Sequence, residues 1–421
     1  MADVFVSGDN VIFNDEASNG NVVLTEDVNP ATITFENNNL EYTLSGTNAI
    51  TGKSSIIKKG EGNVNINNTN TFSGSINING GKLTVNALGQ VDGTNEGALG
   101  HYSNAINLNG GTLAANANIT TSHPIAVGAN NGAIMTNDGV TLILTDKITG
   151  TDNTLIKEGK GALTLAPTAS YGTLIVNSGT VNTQENASSK HGLPKNVVLN
   201  DGSTLRDASN IYSYSTNAAN VDVPEGSNAK WYLDARCNYT GALTGKGTLN
   251  LYATSVRSYL QGNWSNFEGT INIYSSKSGS YDPVLVIDNS YGLANATVNV
   301  SCPLDNNKKN VAIGNLLGSS SLSGSGTWTI GALNEDVKYT GEISGGKIIK
   351  TGNGVWTMNK VTSGLTGITT VNGGIEYTHN NLTATLNVYN LLNTDYYYGS
   401  STFMPFPQQQ RNTLASITYK F

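Results

Sequence analysis

The sequence predicts an all-β chain: a parallel β-helix, or solenoid, over residues 1–372 and a short tail of β-strands over 373–421. Three observations predict it. Short segments that alternate apolar and polar residues recur along the chain, each bounded by glycine. The composition is rich in glycine (48 residues) and low in charge, 13% against about 25% in a typical soluble domain. No segment carries the three-and-four spacing of an amphipathic helix.

The recurring element has two halves. The first copy opens with Ile57-Lys58-Lys59-Gly60-Glu61-Gly62 and the strand Asn63-Val64-Asn65-Ile66, then continues through Ser75-Ile76-Asn77-Ile78 to Gly80-Gly81-Lys82-Leu83. A second copy begins Ile156-Lys157-Glu158-Gly159-Lys160-Gly161 and ends near Val181. Looser copies start at Leu243 and Ile349, and half-copies begin at Ile106, Val198 and Leu322.

Within a copy, Ile76 and Ile78, or Leu163 and Leu165, are two residues apart and share one face of a strand, while Asn77 and Thr164 face the other way. The glycines allow the positive φ of a sharp turn. One such stripe is too small to bury itself, so copies must stack into a continuous apolar column. An antiparallel sandwich array is the competing architecture. The short apolar pair after Asn-Gly-Gly, followed by an irregular polar stretch, favours solenoid corners. At roughly 20 residues per coil, residues 1–372 would form roughly 18 coils.

Composition also limits function. Net charge is −7 with no long Lys/Arg cluster, so nucleic acid is not an expected partner. Cys237 and Cys302 could pair in an oxidising compartment or stay as buried thiols; no spacing suggests zinc. His101, His123, His191 and His379 are widely separated and form no metal or triad pattern. No cofactor or metal is expected. Gly60-x-Gly62 and Gly159-x-Gly161 precede no helix, so they read as corners rather than phosphate loops. No signal peptide precedes the strand-like Val4-Phe5-Val6, so a secreted origin implies a trimmed chain or a fragment.

The copies at 57–83 and 156–181 resemble the autotransporter-associated β-strand repeat, also called the passenger-associated transport repeat; those at 243–273 and 349–375 resemble it in part. The resemblance implies a right-handed parallel β-helix displayed outside a bacterial cell, with a structural or adhesive role and no reaction. Host or environmental glycans or proteins are the expected partners.

The tail differs. Residues 382–397 resemble the penultimate strand and turn of a TonB-dependent receptor, and residues 410–421 resemble its last strand. Ala415, Ile417, Tyr419 and Phe421 alternate on one face, as a lipid-facing strand requires. The resemblance implies contact with the outer-membrane assembly machinery and a cell-surface, outer-membrane-associated location. Two or three strands cannot close a barrel. Either several chains pool strands, or the tail marks a chimeric reading frame; the second is favoured, and as a soluble piece the tail would cap the solenoid or hang loose.

Parallel β-helices also host polysaccharide lyases and hydrolases. The best acid–base neighbourhood is Asp234 and Arg236 beside Trp231 and Tyr232, whose rings could line a sugar groove. The competing reading of these four residues is a surface ion pair beside packed aromatics.

Overall fold

The structure, a computed structural model, describes residues 5–90, 94–184, 192–207, 215–277, 281–352, 354, 356–361, 365–369, 373–379, 382–389, 397–398, 406–407 and 412–419. Among them every regular element is a β-strand, and the chain is a parallel β-solenoid. It makes about 15 turns. That is fewer than the sequence estimate because many coils exceed 20 residues. The chain divides into two compact units, Met1–Asp234 and Ala235–Phe421.

In the first unit, successive coils pair in parallel. Asn10 lies opposite Thr32, Thr32 opposite Ser55, Ile56 opposite Ile76 and Ile76 opposite Ile106. A second face stacks Tyr42 on Val64, Val64 on Leu83 and Leu83 on Leu113. A third runs from Ile119–Thr121 through Thr141–Leu144, Ala162–Thr164 and Thr180–Asn182. Parallel pairing of neighbours rules out the antiparallel sandwich for this unit. A short hairpin in this unit, Glu96–Gly97 against Gly100–His101, sits in the long coil between Ile76 and Ile106.

The core is the set of inward positions predicted by the alternation of two. Ile76, Ile78, Leu163 and Leu165 are all essentially inaccessible to solvent. At 25 cal/mol per Å² of apolar surface, each such side chain contributes about 2 kcal/mol. Coil edges are closed by side chains that capture backbone groups. The Asp15 carboxylate accepts the N–H groups of Asn38, Asn39 and Leu40, which holds its pKa below the ordinary carboxylate value. The Tyr42 hydroxyl donates to the Asn14 carbonyl at 2.6 Å.

The Lys-x-Gly-x-Gly corners contain a feature that charge rules argue against. Lys58 occupies an inward position between Phe35 and Ile78, and Lys157 one between Ile134 and Val176. Both are fully buried, and Lys350, beside Ile330, is 6% exposed. Their ammonium groups reach to carbonyls of their own glycine turn and, for Lys157, of the next coil as well. Lys157 Nζ donates to Glu158 O at 2.6 Å, Gly159 O at 2.7 Å and Ser178 O at 3.3 Å. Lys58 Nζ donates to Gly60 O, and Lys350 Nζ to Thr351 O and Gly352 O. Desolvation pulls the pKa of Lys58 and of Lys157 down to about 8. Gly159 itself has φ +74, and a Cβ there would lie 2.3 Å from the Thr136 carbonyl oxygen.

In the second unit, Thr248–Ala253, Thr270–Ser275 and Leu293–Ser301 stack in parallel, as do Arg257–Leu260, Val284–Ile287 and Leu304–Asp305. Cys237 and Cys302 are buried and no disulfide joins them, so of the two open alternatives the buried-thiol one holds. Burial raises the Cys302 thiol to about 12, which makes it inert as a nucleophile. Parallel pairing continues to Thr369. Beyond it, Gly373–His379, Leu382–Tyr389 and Asn412–Tyr419 form an antiparallel sheet.

All eight residues of Asn412–Tyr419 are exposed, among them Ala415, Ile417 and Tyr419. Leu414 on the opposite face is as open as Tyr419, at 54% against 55%, so the strand does not separate a covered face from an open one. Phe421, the 390–393 step and Arg411 lie outside the described residues.

Candidate functional site

The four residues singled out in the sequence do not share one environment. In the first unit Trp231 is 2% exposed, and its indole N–H donates to Asp207 Oδ2 at 2.9 Å. It sits opposite Leu205 of the preceding coil, in the inward series with Ala229 and Leu233. Asp234 is also buried. Tyr232 faces outward, opposite Arg206, whose guanidinium lies 4.0 Å from its ring centroid. Trp231 and Asp234 thus belong to the interior, while Tyr232 carries a cation on its face. Arg236 belongs to the second unit, where its φ is +55.

His123 is buried with Nδ1 2.8 Å from the Asn104 carbonyl, and burial depresses its pKa. His101 packs on Tyr102, with ring centroids 4.3 Å apart. His191 lies outside the described residues.

A shallow recess of about 340 Å³ opens in the first unit beside Asp152, Tyr171, Gly172 and Lys195. It forms where the strand Ile148–Glu158 loses register with Ala169–Val176 between Gly150 and Thr154. Asp152 takes φ +65 in that bulge.

A regular outward surface lies in the second unit. Three coils place Thr248, Thr270 and Thr297 in one row and Asn250, Asn272 and Asn299 in the next; the third row is Tyr252, Tyr274 and Ser301. Each is outward because its neighbours Leu249, Leu251, Ile271, Ile273, Val298 and Val300 are buried. The amides form a ladder: Asn272 Nδ2 donates to Asn250 Oδ1 at 3.1 Å, and Asn299 Nδ2 to Asn272 Oδ1 at 3.5 Å. Tyr252 and Tyr274 stack with centroids 5.0 Å apart and planes 25° from parallel. On the other side of Tyr274 the register sets a small residue, Ser301.

No side chain in these rows carries a formal charge at neutral pH, and the adjacent charges are paired. Lys246 meets Glu268 at 2.9 Å before the strands, and Lys277 meets Asp282 at 2.8 Å after one of them. The site is a neutral surface of hydroxyls, amides and aromatic rings. Sequence reasoning missed it, although Thr248-Leu249-Asn250-Leu251-Tyr252 and Thr270-Ile271-Asn272-Ile273-Tyr274 carry the same pattern.

A parallel β-solenoid that presents polar ladders is the class of molecule so defined. The chain is similar to the adhesin BmaC autotransporter of Brucella suis biovar 1 (strain 1330), with 28% identity over 366 residues. The match covers 80% of this chain and 10% of that protein, so the chain spans about a tenth of its relative's length. No family model matches the chain. No solved structure matches it. The resemblance of the tail to a TonB-dependent receptor therefore rests on its residues alone.

Proposed function

We propose that this chain is an adhesin-like, non-catalytic β-solenoid displayed at a bacterial cell surface, where its outward polar ladders meet host or environmental surfaces. The observation that carries this reading is the likeness to an adhesin autotransporter along 80% of the chain, which is most of the solenoid. The coil geometry supports it. Stacked coils repeat one set of outward side chains at about 4.8 Å intervals, which suits many weak contacts with an extended surface.

The test is display of the chain on a non-adherent bacterial host through a heterologous autotransporter barrel. Adherence to epithelial cells and to immobilised matrix and mucin should rise over an empty-display control. Equal adherence with and without the chain, at matched display levels, would remove the proposal.

A further inference from the structure

We infer that Tyr274, Asn299 and Ser301 form a binding subsite for a neutral saccharide ring. This deepens the adhesin reading and rests on it for its biological setting.

The argument starts from the register. Tyr252 and Tyr274 occupy the same outward position on adjacent coils and stack. The next coil places Ser301 in that position, so the column of rings stops. One face of the Tyr274 ring is covered by Tyr252, and the other looks across one rung, about 4.8 Å, over an exposed serine. The opening is one rung of the register, about the thickness of one ring. Asn272 and Asn299 stand beside it, two residues before Tyr274 and Ser301 on their strands. Asn299 is the last rung of the amide ladder, because the register follows it with Leu317. Its Nδ2 is engaged with Asn272, and its Oδ1 has no amide above it. An aromatic face, an amide oxygen at the end of a ladder and a serine hydroxyl therefore converge on one opening.

This chemistry selects the occupant. A pyranose has an apolar C–H face for the ring and a rim of hydroxyls for the amide and the serine. A charged ligand would find no counter-charge, since the flanking Lys246–Glu268 and Lys277–Asp282 pairs are self-neutralised. An extended peptide has no edge to join, because Thr270–Ser275 is paired in parallel on both sides.

The experiment uses the whole purified chain. The probes are neutral oligosaccharides (cellohexaose, mannohexaose and lacto-N-tetraose) and charged ones (sialyllactose and a heparin hexasaccharide), read by titration calorimetry. At least one neutral probe should bind. Loss of the ring in Tyr274→Ala should weaken that binding by roughly tenfold. Ser301→Tyr, which extends the existing ring stack and fills the opening, should abolish it with the circular dichroism spectrum unchanged. Tyr291→Ala, at an exposed tyrosine at a corner outside these rows, should leave it intact.

Binding of charged probes only, or of no probe, would overturn the inference. So would neutral binding that survives Ser301→Tyr. Absence of neutral binding while displayed cells still adhere would overturn the subsite and keep the adhesin reading. Neutral binding without any adherence would keep the subsite and end the adhesin reading.

Discussion

Lys157 shows how a single residue can violate an expectation and still make sense. An ammonium in an aliphatic column pays a desolvation penalty, and its depressed pKa of about 8 records it. Two carbonyls of its own glycine corner, Glu158 and Gly159, and the Ser178 carbonyl of the next coil offset that cost. Replacing Lys157 with Met would leave those carbonyls unpaired and should destabilise the chain by about 1–3 kcal/mol, read by urea denaturation at neutral pH. A stability equal to the parent would refute the bracing role. The pH sign also follows. The folded pKa lies below the unfolded value of 10.5, so between about 8 and 10.5 the unfolded chain holds more protons than the folded one. Stability contributed by Lys58 and Lys157 should therefore rise with pH across that window, and the rise should shrink in the double Met variant. A parent curve that falls or stays flat there would count against it. Gly159 is bound to the same corner. Gly159→Ala forces a left-handed Cβ against the Thr136 carbonyl and should cost about 2 kcal/mol or more, by the same measurement.

At the scale of the element, a coil is an alternating strand closed by its corner, and each buries its stripe only against its neighbours. Ile271 lies between Leu249 and Val298. Ile271→Ala should cost roughly 2–5 kcal/mol and raise amide hydrogen exchange first in the two adjoining coils. Uniform exchange along the whole chain would contradict nearest-neighbour stacking. The strands were legible in the sequence because Leu163 and Leu165, or Ile76 and Ile78, follow the period of two without interruption. The inward lysines were legible by the same rule, yet charge argued against them: Ile56 and Lys58, like Leu155 and Lys157, are two apart. Residue type alone assigns Trp231 to a sugar groove, because aromatics suit sugars. Its spacing from Ala229 and Leu233 instead marks the interior. The Tyr252–Tyr274 stack needs the alignment of coils 22 residues apart, which single-strand patterning does not supply.

For the molecule as a whole, the net charge of −7 and the neutrality of the Thr/Asn/Tyr rows lead to different expectations about salt. If adherence runs through those rows, it should change by less than about twofold when ionic strength is raised from low to physiological, since screening acts on charges. A steep fall in adherence with added salt would assign binding to charged surfaces instead. Parallel solenoid architecture was legible from the recurrence of glycine-bounded stripes. The number of turns was not, because excursions such as the Glu96–His101 hairpin lengthen individual coils without marking the apolar pattern.

The inward lysines have a further use. Acylating reagents attack neutral, accessible amines, so in the native chain Lys59 and Lys246, with side chains more than half open, should be labelled early. Lys58, Lys157 and Lys350 should be labelled only when their own corner comes apart. Each therefore acts as an internal clock, and mass spectrometry of timed labelling would report the order in which the corners of the solenoid come undone.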